Sequence, residues 1–89
     1  MKQINLNTLI NEINSNKDKE FIIEFKGIIT SKIQMKNIEI KEDADYINIL
    51  SKENEKIQLL KHQIMKIEKM NNEYILKFDA VQNVNIIIT

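Results

Sequence analysis

The dipeptide Asn71-Asn72 stands between two runs of alternating apolar residues, and no other stretch constrains the fold as strongly. Asn tolerates the positive φ that a two-residue hairpin turn demands. Folding the chain there sets Ile67 opposite Leu76 and Met65 opposite Phe78, and with Tyr74 these make one apolar face. The opposite face carries Lys66 against Lys77 and Glu68 against Ile75. One register that sorts both faces is what cross-strand pairing requires. The same region carries a competing signal. Residues 52–70 are rich in helix formers, and Ile57, Leu60, Ile64 and Ile67 sit at helical spacing. The hairpin register selects the strand reading over the helical one.

The rest of the chain follows the same rhythm. Leu6, Leu9, Ile10 and Ile13 form one stripe at i, i+3, i+4 and i+7, which predicts an N-terminal helix within residues 5–16, capped by Asn5. Three turns of helix are not stable alone, so the stripe must cover something. Phe21, Ile23 and Phe25 alternate with Ile22, Glu24 and Lys26, as in a half-buried strand. Gly27 then marks a bulge or bend. The apolar rhythm resumes with Ile29, Ile33 and Met35 and changes phase at Asn37, to Ile38 and Ile40. Residues 41–45 read as a charged turn, Ile47 and Ile49 as a strand, Ser51–Lys56 as a further turn, and Val84–Thr89 as the last strand.

Composition narrows the chemistry. Arg, Cys, Pro and Trp are absent and Gly27 is the one glycine, so thiolate metal sites, arginine clamps and glycine-rich phosphate loops have no residues to build them. Thirteen Lys balance thirteen Asp plus Glu, whereas a dedicated nucleic-acid binder shows a basic excess. Apolar residues are 43% of the chain, enough for one small core in a single domain spanning 1–89. No apolar run exceeds three residues, as at Ile86-Ile87-Ile88, so neither a signal peptide nor a membrane span is expected, and a cytoplasmic location follows. The abundance of Ile, Lys and Asn, with no Arg, points to an AT-rich bacterial or phage genome.

Few residues could carry chemistry. His62 is the sole imidazole and cannot form a two-histidine metal face. Glu42, Asp43 and Asp45 cluster in one turn that lacks the glycine and distal Glu of a calcium loop. Phe21, Phe25, Tyr74 and Phe78 fall on apolar phases and read as core. No nucleophile–base–stabiliser set assembles, so no enzyme, no cofactor and no metal are expected.

A helix followed by short strands is similar to the small Sm-like barrels. The stretch Leu60-Lys61-His62-Gln63-Ile64, with Ile67 beyond, resembles the Lys-His-x-Ile strand of the Hfq family of bacterial RNA chaperones. Lys26-Gly27-Ile28 falls where that family has its Asn-Gly-Ile turn, and Asp45–Leu50 where a central strand runs. In that family the Lys and His line a uridine-binding pore of a ring oligomer, so the resemblance implies single-stranded RNA contacts at Lys61 and His62. The chain departs from the pattern at Leu60, which replaces an aromatic, in the missing second-strand glycine, in the insert at 41–45, and in the hairpin after Met70. In its small size and lack of catalytic motifs the chain also resembles phage-encoded anti-defence proteins of the anti-CRISPR kind.

The expected molecule is mainly β with one N-terminal α-helix, built as a small Sm-like or SH3-like barrel or a strongly curved antiparallel sheet over residues 20–89. Asn83–Thr89 is too apolar and β-prone for a bare edge, so barrel closure or pairing with another copy should hide it, and the latter makes a homo-oligomer. The expected function is non-enzymatic binding of a protein partner, as an inhibitor or adaptor. The alternative is RNA binding through Lys61 and His62.

Overall fold

The computed structural model describes residues 1–16, 18–78 and 82–89. Among them lie nine strands and one α-helix: β1 (Lys2–Ile4), α1 (Leu6–Asn14), β2 (Glu20–Lys26), β3 (Ser31–Lys36), β4 (Glu39–Glu42), β5 (Tyr46–Leu50), β6 (Lys56–Leu60), β7 (Lys66–Met70), β8 (Glu73–Lys77) and β9 (Asn83–Ile88). A 3₁₀ turn, Lys61–Gln63, joins β6 to β7. All pairings are antiparallel and give a six-stranded sheet ordered β1-β7-β8-β9-β2-β3 and a three-stranded sheet β4-β5-β6. The molecule is thus mainly β with one N-terminal helix, and the ladders among the described residues form two open sheets.

The Asn71-Asn72 hairpin forms in the expected register, with Ile67 opposite Leu76 and Lys66 opposite Lys77. Asn71 takes φ 56°, and among the described residues the other non-glycine left-handed positions are Asn37 and Asn54. In a chain with no proline and one glycine, asparagine supplies the turns, because its short polar side chain tolerates the αL region. Gly27 is not left-handed. It stands in the β2–β3 connection and ends a strand instead of bulging one. The phase change at Asn37 is a true break: φ 53° there separates β3, which pairs with β2, from β4, which pairs with β5. One continuous stretch of chain thereby passes from one sheet to the other.

Both sheets and the helix feed one core. β2 contributes Phe21 and Ile23, β5 Ile47 and Ile49, β8 Tyr74 and Leu76, and β9 Val84 and Ile86. Helix α1 buries Leu9 and Ile13, and its start is secured by Asn5, whose Oδ1 accepts the Thr8 N–H at 2.8 Å. The stripe seen in the sequence therefore does cover the sheets.

Three expectations are corrected. Ile29 and Ile33 are not core: β3 is the edge strand of its sheet, starts only at Ser31 and buries only Met35. Met65 does not join the apolar face with Ile67, Tyr74 and Leu76. The 3₁₀ turn redirects the chain just before β7, and although the Met65 N–H still donates to the Lys77 carbonyl at 2.8 Å, its side chain is 72% exposed. The last strand is hidden, as expected, but by strands of its own chain, since β9 lies between β8 and β2, and no second copy is needed to cover it. That removes the motive for self-association drawn from it.

Candidate binding surface

At the end of the molecule where β2, β6 and β9 come together, the two sheets part to leave a cleft of about 480 Å³. Its walls are apolar: Phe25 from β2, Leu59 and Leu60 from β6, Phe78 after β8, and Val84 from β9. The rim is uncharged amide at Gln58, Gln63, Gln82 and Asn83, with Lys26 beside it. The β2–β3 connection lines this mouth with Ile28 at 97% and Ile29 at 82% exposure, and Leu60, which also lines it, is 43% exposed. A scattered surface Leu or Ile is ordinary, but contiguous exposed apolar side chains beside an apolar depression mark a docking surface. Phe25 and Phe78, expected in the core, pack against it but are only partly buried, because they also line this mouth.

Lys61 and His62 sit elsewhere in the chemistry of the fold. The 3₁₀ turn brings both against the β4–β5 turn. Lys61 Nζ donates to Glu42 Oε2 at 2.9 Å and to the Asp43 carbonyl at 2.8 Å, and its backbone N–H donates to the Asp45 carbonyl at 2.9 Å. His62 Nε2 lies 3.0 Å from the Ala44 carbonyl, which can only accept, so Nε2 carries a proton. The acidic turn is further organised by Asp43. Its Oδ1 accepts the N–H groups of Asp45 and Tyr46, and its Oδ2 accepts from Asn48 Nδ2 at 3.1 Å. Those backbone hydrogen bonds first, and the Asn48 bond after them, hold the Asp43 carboxyl below its usual range. Buried Asn48 completes the set by accepting from Gln58 Nε2 at 2.8 Å. The structure thus joins the Lys–His pair to the acidic turn as partners within the fold.

A third cluster ties α1 to the large sheet. Glu12 Oε1 accepts from Lys69 Nζ at 2.5 Å and from Tyr74 Oη at 2.6 Å, and the Lys69 ammonium stands 5.4 Å from the Tyr74 ring centre. The Lys69 hydrogen bond chiefly lowers the Glu12 pKa, and the same bond raises that of Lys69. Burial, with the Glu12 hydrogen bond second, raises that of Tyr74. These partners lie 57 and 62 residues apart in sequence, so no local pattern announces them. The cleft did leave a trace: Ile28-Ile29 follows Gly27 immediately and breaks the alternation of β2.

Among the described residues no group of three His, Asp or Glu side chains is placed to hold a metal ion, and no helix is long and apolar enough to cross a membrane. The geometry defines a small two-sheet domain with an apolar mouth at one end. No family model, curated protein or solved structure matches the chain.

Proposed function

We propose that this chain is a non-enzymatic binding module, of the inhibitor or adaptor kind, that docks a protein through the apolar mouth formed by Ile28, Ile29, Leu60 and the cleft between them. In this reading the two sheets act as one strongly curved, barrel-like wrap, bent at Asn37 on one side and at the 3₁₀ turn on the other. Leu9 and Ile13 of α1 are buried in its core, and the mouth is left for a partner. The observation that carries the proposal is the exposure of Ile28 and Ile29 at the edge of a cleft lined by Phe25, Leu59, Phe78 and Val84. Removing such side chains from water contributes about 1.5–3 kcal/mol each, enough to make two of them the anchors of an interface.

The test is comparative capture. Wild type and the Ile28→Ser/Ile29→Ser double variant are immobilised and exposed to extract of the native host. The proposal expects proteins retained by the wild type and lost by the variant, while a Lys41→Ser control on β4 retains them. Equal retention by wild type and the double variant contradicts it.

A further inference from the structure

The apolar mouth carries its own complement. Ile28 and Ile29 project at the tip of the β2–β3 connection, and the trough they border is lined by Phe25, Leu59, Phe78 and Val84. An apolar protrusion and an apolar hollow, both disfavoured in water, thus share one end of one molecule. Resting on the reading of this mouth as a docking surface, we infer that its occupant is a second copy of this chain. The two copies are related by a two-fold axis, and the Ile28–Ile29 tip of each is seated in the trough of the other. An isologous contact of this kind uses the same patch twice and closes at the dimer.

The polar rim fits that occupant. Gln58, Gln63, Gln82 and Asn83 carry carboxamides, and each carboxamide both donates and accepts. A rim of carboxamides is complementary to a copy of itself, whereas a rim of one charge would repel its copy. Among the described lining residues Lys26 is the one charge, on a stem long enough to keep its ammonium in water. The contact is made by side chains at the mouth and does not involve the C-terminal strand, whose two edges are paired within the chain.

Sedimentation velocity on the full chain, from about 10 μM to about 1 mM, reads the association directly. The expected result is a monomer–dimer equilibrium whose dissociation constant rises at least ~50-fold in Ile29→Asp, the scale of losing an interface anchor. Far-ultraviolet dichroism and thermal midpoint should stay at wild-type values, because Ile29 is exposed and outside the core. Ile28→Ser/Ile29→Ser, which adds no charge, should weaken association in the same direction. A wild type that stays monomeric at the highest concentration overturns the inference, and so does a dimer that persists unchanged in both variants. If the wild type is monomeric while the double variant still loses its captured proteins, self-pairing alone is overturned and the docking surface stands.

Discussion

Asn14 grips Ile40 by both backbone groups: its Nδ2 donates to the Ile40 carbonyl at 3.1 Å and its Oδ1 accepts the Ile40 N–H at 2.8 Å. A side-chain amide at the end of α1 thereby takes the place of a neighbouring strand along β4, which among the described residues otherwise pairs only with β5. The contact locks the helix to the small sheet and caps an edge that could pair with another chain. Replacing Asn14 by Leu leaves two half-buried backbone groups without partners, so the expected loss is about 2–3 kcal/mol in urea unfolding. Asn14→Asp should fare almost as badly, because a carboxylate cannot donate to the Ile40 carbonyl. An unfolding free energy unchanged in both variants would show that the edge cap is dispensable.

The Glu12 cluster predicts a specific acid response. The Glu12 pKa in the folded protein lies below its ordinary 4.5, with the Lys69 hydrogen bond as the first cause. A depressed carboxylate contributes stability that is fully present above the unfolded value and is lost as pH falls through the folded one. Wild type should therefore lose more stability than Glu12→Gln as the pH drops below about 4.5, and the two curves should run parallel above it. Glu20, Asp43 and Glu68 are lowered too, so only the difference between the curves reports Glu12.

Tyr74 gives the same cluster an alkaline readout. Burial first, and the Glu12 hydrogen bond second, raise its pKa from the ordinary 10.0. Removing Glu12 takes away the second cause and leaves the first. The tyrosinate absorbance of Glu12→Gln should rise at lower pH than in wild type, yet still above the ordinary tyrosine range. A titration identical to wild type would mean that the Tyr74 hydroxyl does not bond Glu12 in solution.

The turns predict an inverted glycine rule. Asn37 is left-handed at the bend between β3 and β4, so Asn37→Val should cost about 1–3 kcal/mol while Asn37→Gly should cost little. Gly27 is not left-handed, and a Cβ there would meet only Gln82 Cγ at 3.7 Å, an ordinary contact. Gly27→Ala should therefore be neutral or stabilise by about 0.4–1 kcal/mol. Thermal midpoints of the three variants check the ordering, and a Gly27→Ala midpoint below that of Asn37→Val would contradict it.

Lys61 acts on the β4–β5 turn through Glu42 and the Asp43 carbonyl, so Lys61→Ala should lower stability by about 1–2 kcal/mol. A uridine-rich oligonucleotide titrated against both proteins at low salt separates this from a recognition role. A structural fastener shifts the unfolding midpoint and leaves the titration unchanged. A recognition residue changes the titration and its salt dependence.

How much of this was legible in the chain differs from element to element. The helix, the β7–β8 hairpin and the Asn37 break follow from local periodicity and from the conformational tolerance of asparagine, and each lies where the sequence puts it. The helical spacing through residues 52–70 is resolved by tertiary pairing: β6 binds β5 through Ile57–Ile49, β7 binds β8, and only Lys61–Gln63 coils between them. What the sequence hid is set by the ends of strands. Ile29 and Ile33 carry the same alternation as core residues, but Ile29 lies in the exposed β2–β3 connection and Ile33 on an edge strand that buries only Met35, so the pattern points at water. The Asn14–Ile40 clasp and the Glu12–Lys69–Tyr74 cluster join residues far apart in the chain, and no spacing rule reaches that far.

The most direct measurement of the central claim, that two copies of this molecule dock through the Ile28–Ile29 mouth, is a methyl NMR spectrum of isoleucine-labelled protein recorded over a concentration series. The account predicts that the Ile28 and Ile29 methyl signals shift progressively with concentration while those of buried Ile47 and Ile49 stay fixed. Signals of Ile28 and Ile29 that stay fixed while others move, or a spectrum unchanged throughout, would contradict it.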